Sequence, residues 1–186
     1  CWGSNLYGLL GIGSTDVEAK PPTRLDFGAR TVKALAASGV STCAILDNDT
    51  LSCWGGNFGG ELGVGDTAPR NAPTAVTLPG GRLARSVAMA STSTCVVLDD
   101  SSLHCWGSNA NGTLGLGDVD PRLGPVSTSV MLGAGRTPAK LGGGNFTACA
   151  VLDDGSLKCW GYNMHGKLGL GDEVNRLAPA ASPIEF

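Results

Sequence analysis

The sequence predicts an all-β chain, part of a β-propeller, on three observations: a repeat of just over fifty residues, an excess of glycine, and cysteines paired ten residues apart. Glycine supplies 29 of the 186 residues, about twice its usual share, while charged residues make up only 16%. That composition suits many short strands joined by tight turns and is unlike a coiled coil or a charged, disordered tail.

The repeat carries most of the reading. Cys-Trp-Gly begins at Cys1, Cys53, Cys105 and Cys159, in steps of 52, 52 and 54 residues. The sequence following each is CWGSNLYGLLGIGS, CWGGNFGGELGVGD, CWGSNANGTLGLGD and CWGYNMHGKLGLGD. The boundaries expected are therefore 1–52, 53–104, 105–158 and an incomplete 159–186. A second block, STCAILDNDTLSCWG, STCVVLDDSSLHCWG or TACAVLDDGSLKCWG, leads into the last three copies and reads as a β-hairpin. In the third hairpin Ala150 is expected opposite Lys158 and Val151 opposite Leu157, around a turn of Asp153, Asp154 and Gly155. The position of Gly155 favours positive φ and is filled by Asp49 and Ser101 in the other copies. Apolar residues on both hairpin faces suit a sheet sandwiched between neighbouring sheets. The glycine-rich block after each Trp reads as a loop. It is no phosphate loop, since it lacks the Gly-Lys-Ser/Thr ending and a following helix. Further strands are expected at residues 32–37, 83–90 and 138–141.

Six of the 7 cysteines form pairs ten apart: Cys43 with Cys53, Cys95 with Cys105, and Cys149 with Cys159. In the hairpin register each pair stands directly across the strands, within reach of a disulfide. Metal binding is the poorer reading, because the two histidines, His104 and His165, do not recur with the repeat. Reduced cysteines packed as small hydrophobes are the other alternative. Cys1 lacks only a partner, expected about ten residues upstream in a longer parent chain. Disulfides imply an extracellular or cell-surface setting. Three sequons, at Asn48, Asn111 and Asn145, agree with it, the hairpin tip at Asn48 being expected as the most exposed.

The motif Cys-Trp-Gly-x-Asn-x-x-Gly-x-Leu-Gly-hydrophobic-Gly-Asp, with a hairpin ending Asp-Asp-Gly-Ser-Leu-Lys-Cys-Trp-Gly before it, resembles the regulator of chromosome condensation repeat. The resemblance runs through essentially the whole chain. It implies a seven-bladed propeller of four-stranded blades, of which this chain holds about three and a half. It also implies structural roles for Trp2, Trp54, Trp106 and Trp160, packed between blades, and for Asp66, Asp118 and Asp172. Ser14 departs from that Asp position in the first copy. Arg70, Arg122 and Arg176 follow the three aspartates by four residues, as in an ion pair or loop cap. One Asp per loop offers too few oxygens for calcium. Paired cysteines are similar to the secreted subset of the family, which includes a bacterial propeller that inhibits β-lactamases.

Function is bounded by exclusion. The net charge of −3, without a Lys/Arg run, offers no footprint for nucleic acid, and no apolar run is long enough to span a membrane. Neither histidine stands in a recurring nucleophile–base set, so no catalysis and no cofactor are expected. The expectation is an extracellular structural or adhesive module of a larger cell-surface, matrix or filament glycoprotein. Its expected partners are other protein chains, or the remainder of its own propeller, with N-glycans attached. The alternative is a secreted propeller that binds or inhibits one soluble protein.

Overall fold

The computed structural model describes residues 1–16, 18–19 and 23–184. A short pair, β1 (Gly3–Ser4) and β2 (Glu18–Ala19), precedes three antiparallel sheets. The first runs β3 (Val32–Ala37), β4 (Ser41–Leu46), β5 (Leu51–Gly55), β6 (Arg70–Val76) in chain order. The second is β7 (Ala84–Met89), β8 (Ser93–Leu98), β9 (Leu103–Gly107), and the third is β10 (Pro138–Gly143), β11 (Thr147–Leu152), β12 (Leu157–Gly161).

The hairpins β4–β5, β8–β9 and β11–β12 share one register, with Ala150 opposite Lys158 and Val151 opposite Leu157 in the third. Their turns place Asp49, Ser101 and Gly155 at φ of 65°, 66° and 83°, the left-handed position that the turn demands. The residue before each reaches two residues ahead: Asp100 accepts from the Ser102 amide and Asp154 from the Ser156 amide, closing the tip locally. Within each hairpin the cysteines are directly paired and bonded, Cys43–Cys53, Cys95–Cys105 and Cys149–Cys159, with Cα atoms 4.1, 4.1 and 4.0 Å apart. Each bridge therefore pins the register of the strands that carry it, and a one-residue slip is barred covalently.

The sheets stack face to face, with the inner strands β3, β7 and β10 side by side. Alternation sends one face of every hairpin forward and the other back. Cys43, Ile45, Leu51 and Cys53 face Val96, Leu98 and Trp106 of the second sheet. Cys95, Val97, Leu103 and Cys105 face Ala150, Leu152 and Trp160 of the third. The first two disulfides thus line the cores shared with the following sheet. The arrangement is part of a propeller, cored by seams between blades rather than by one central cluster.

At each seam a tryptophan meets a glycine. Trp54, Trp106 and Trp160 are buried, and each indole Nε1 donates to a carbonyl in the loop of the preceding copy: Leu9 at 3.0 Å, Glu61 at 3.0 Å and Thr113 at 2.9 Å. Two residues past that carbonyl stand Gly11, Gly63 and Gly115, where an added Cβ would fall 2.7, 2.5 and 2.7 Å from the indole. Trp2, by contrast, is 71% exposed.

Among the described residues one sheet is four-stranded. In the second and third sheets the fourth strand shrinks to isolated bridges, Gly107–Arg122, Gly161–Arg176 and Leu157–Ile184. The segment after Arg122 carries Gly124 and Pro125, which interrupt a ladder; Val130 returns to bond Leu103. The seam predicts a graded response to glycine substitution. Gly63→Ala meets both a φ of +74° and the Trp106 ring and should cost roughly 3–5 kcal/mol. Gly65→Ala, at φ +89° with open space around it, should cost only about 1–2 kcal/mol. Urea denaturation of the two oxidised variants measures the difference.

Candidate functional site

The chain presents two faces of different chemistry. Ser41 pairs with Gly55, so the turn before β4 and the loop after β5 emerge at one end of the sheet and the hairpin tip at the other. The same holds in the other two sheets.

The hairpin-tip end is charged and internally paired. Asp47 lies 3.6 Å from Arg30, Asp99 lies 3.5 Å from Arg82, and Asp153 lies 3.4 Å from Arg136, each pair separated by seventeen residues. Asp49 gathers Lys33 at 2.5 Å and, across the seam, Arg85 at 3.2 Å. Lys33 and Arg85 sit where the first and second inner strands break register, and the bulge aims both at this tip. The Asp49 carbonyl also accepts from the Ala84 amide. Pro138, the equivalent residue one repeat on, has no N–H to give. Lys33, the foremost influence, holds the Asp49 carboxyl below the ordinary range.

The opposite end is built on an asparagine that the motif contains but that sequence reasoning left without a role. Asn5, Asn57, Asn109 and Asn163 are all buried. Each side-chain oxygen accepts from the amide of the Leu five residues on (Leu10, Leu62, Leu114 and Leu168, at 3.0, 2.9, 2.9 and 2.9 Å). Each amide group donates to the carbonyl nine residues on, at Ser14, Asp66, Asp118 and Asp172. One side chain thereby fixes both ends of every glycine-rich loop. The signal was available, since this Asn stands in all four copies.

The aspartates then finish the loop. Asp66, Asp118 and Asp172 accept from the amides of Ala68, Asp120 and Val174, and pair with Arg70, Arg122 and Arg176 at 2.7, 2.7 and 2.5 Å. They act as ion pair and cap together. Arg70 and Arg176, the first influences on their partners, hold Asp66 and Asp172 below the usual carboxylate range. Burial pushes Asp118 up, but the Asp120 amide and Arg122 outweigh it. Ser14 keeps the backbone bond from Asn5 and, through its hydroxyl, accepts from the Asp16 amide at 3.4 Å, but it has no charge to hold an arginine.

The two residues after each asparagine form the tip of this end. Leu6, Tyr7, Phe58 and Met164 stand there exposed. The Tyr7 and Phe58 rings meet edge to face with centroids 4.7 Å apart. Beneath Phe58 lies Glu61, fully buried, at a position held by Leu9, Thr113 and Lys167 in the other copies. Its Oε2 accepts from the Gly59 amide at 2.8 Å, while Oε1 has no partner among the described residues. Burial drives its pKa up.

The sequons separate by exposure. Asn145 is the exposed one, with Asn48 and Asn111 half-buried, so the hairpin tip is not the most open site. Asn48 is drawn down because its Oδ1 accepts from the Thr50 hydroxyl at 2.8 Å. Thr113 and Thr147 are buried and bond the Phe146 and Tyr162 carbonyls, which gives both threonines a structural reason to be present. Cys1 is exposed and unbridged. Among the described residues no group of His, Cys, Asp and Glu could hold a metal, and no helix is long and apolar enough to cross a membrane.

Residues 139–167, spanning the last hairpin and its loop, match the family described as the regulator of chromosome condensation (RCC1) repeat. Over 178 residues, 96% of the chain, it is 31% identical to the ultraviolet-B receptor UVR8 of Arabidopsis thaliana, covering 40% of that protein. The chain carries an RCC1 repeat at residues 139–167 and is similar along its length to RCC1-domain proteins. It is also 30% identical, over 96% of its length, to the mitochondrial RCC1 domain-containing protein RUG3 of the same plant, of which it covers 41%. The chain thus spans about two fifths of these curated relatives. The RCC1 fold extends over all of it: the crystal structure of Prp20p from Saccharomyces cerevisiae, described with its binding to Gsp1p and histones, superposes with a TM-score of 0.77 at 23% identity, over 100% of this chain and 45% of that one. The chain has the fold of a segment of such a propeller.

Two measurements test the loop chemistry. Asn109→Ala strands the Leu114 amide and the Asp118 carbonyl in a buried site and should cost roughly 2–5 kcal/mol of unfolding free energy. For Glu61, a folded pKa above the unfolded one means that stability is lost as pH rises through the range just above the ordinary carboxylate value. Glu61→Gln removes that titration. Its stability relative to the parent should therefore improve between about pH 4 and pH 7 in paired denaturation curves.

Proposed function

We propose that this RCC1-type segment works outside the cell, as a structural or adhesive protein-binding module of a larger surface, matrix or filament glycoprotein. The carrying observation is the recurrence of one cross-strand disulfide in each of three consecutive hairpins. Bridges of this kind persist in oxidising compartments and are removed in reducing ones. Two of them line seams between sheets, and each of the three closes a short loop and limits the unfolded chain by roughly 2–3 kcal/mol. A module working in shear or among extracellular proteases gains from such local clamps.

The binding reading rests on the family and on the two faces. Both ends carry rigid loops held by internal hydrogen bonds, which lowers the ordering cost of docking another protein. Asn145, exposed on the loop end, is the favoured glycan position, and Asn48 and Asn111 are the others. The chain binds rather than catalyses in this proposal, and its repeats follow the boundaries 1–52, 53–104, 105–158 and 159–186.

Intact-mass analysis of the protein from its native source tests the setting, with and without reduction and glycan removal. The expected spectrum gains two hydrogens per bridge on reduction and loses hexose-containing mass at Asn145. Free thiols at the six hairpin cysteines, together with an absence of glycan, would exclude the extracellular assignment.

A further inference from the structure

Leu6 and Tyr7 follow Asn5, and Phe58 follows Asn57, so three large apolar side chains project from two neighbouring tips whose backbones are clamped from below. They are 54%, 43% and 54% exposed. Tyr7 and Phe58 support one another across the gap between the tips, and the Phe58 ring lies close against Gly56. The result is a preorganised apolar patch, the kind of surface that proteins keep exposed where another protein lands. At the next tip Ala110 and Asn111 replace the large residues and end the patch.

Acids outnumber bases in the loops beside it. Asn5 holds Ser14, whose hydroxyl accepts from the Asp16 amide, and Asn57 holds Asp66. Asn109 holds Asp118, whose carboxylate accepts from the Asp120 amide. Asp16, Asp66, Asp118 and Asp120 therefore stand in these loops with the two bases Arg70 and Arg122. Both arginines are engaged, by Asp66 and Asp118. Asp16 and Asp120 form no ion pair among the described residues. The hairpin-tip end offers no such bias, because its acids and bases are paired with one another.

We propose that the patch of Leu6, Tyr7 and Phe58 is a docking site for a basic protein segment bearing apolar anchor side chains. The anchors cover the two rings, and flanking Lys or Arg residues meet Asp16 and Asp120. Complementary charge speeds encounter and excludes acidic competitors, while the buried rings supply the residence time. This inference rests on the protein-binding reading and narrows it to one face and one partner chemistry.

The test is fluorescence anisotropy of the full chain with two labelled peptides that share Leu and Phe anchors, one flanked by lysines and the other by glutamates. The lysine peptide should bind at least roughly tenfold more tightly. Tyr7→Ala and Phe58→Ala should each weaken it by about tenfold, while Asp16→Asn with Asp120→Asn should flatten its salt dependence. Both rings are exposed, so these variants keep the fold, and retention of the three disulfides verifies it. Equal binding of the glutamate peptide, no binding of the lysine peptide, or binding indifferent to both ring substitutions overturns the proposal. Binding lost instead on Arg85→Ala would move the site to the hairpin-tip end and leave the protein-binding reading intact. That reading itself fails only if photo-crosslinkers placed at Phe58 and at Arg85 capture no protein in the native source.

Discussion

Everything in this chain depends on an indole lying flat over a glycine of the preceding repeat, with its N–H in that repeat's backbone carbonyl. The contact appears at Trp54, Trp106 and Trp160 with nearly the same length each time. It couples three requirements. The indole must be buried, so its N–H needs an acceptor. The acceptor must be a loop carbonyl, since strand carbonyls are already paired. The loop must approach within a distance that excludes a Cβ, so glycine is obligatory there. A propeller has no central core to fall back on, and the joint between repeats carries the burden that a core carries elsewhere.

The buried asparagines make that joint possible. A loop that offers its carbonyl outward must hold its own shape without strand or helix hydrogen bonds. Asn supplies an acceptor and two donors from one compact side chain, enough to close the loop at both ends. Asp–Arg pairing secures the outer turn, and at Ser14 the turn is held without an ion pair, by the bond from Asn5 and by the Asp16 amide on the Ser14 hydroxyl. Glu61 shows how far the joint overrides local preference. Its carbonyl serves both Trp106 and Thr94, and its carboxyl is carried into the interior with one oxygen unpaired.

Much of this was legible from the repeat. Hairpin register followed from the ten-residue cysteine spacing, and the positive φ at Asp49, Ser101 and Gly155 followed from a three-residue turn. The inner strands began and ended within one or two residues of their apolar runs. Other features were out of reach for physical reasons. Whether a fourth strand forms depends on bridging partners that a segment such as 122–130 finds only in three dimensions. The exposure of Trp2 reflects what is packed against it, which its own sequence context cannot state. The asparagine was legible and went unread because its partners are backbone groups, which leave no trace in side-chain pattern.

The division of labour between covalent and noncovalent ties bears on how such a segment can present a binding face. Disulfides stiffen each hairpin internally, yet no covalent tie crosses a seam among the described residues. The seams depend on apolar burial and on single hydrogen bonds to loop carbonyls, so local opening should occur between blades before it occurs within them. Tyr7 and Phe58 bridge the outside of one such seam, and a partner that covers both rings therefore also closes it. Binding and blade-to-blade cohesion are then linked: whatever stabilises the seam preorganises the patch, and occupancy of the patch returns stability to the seam by mass action.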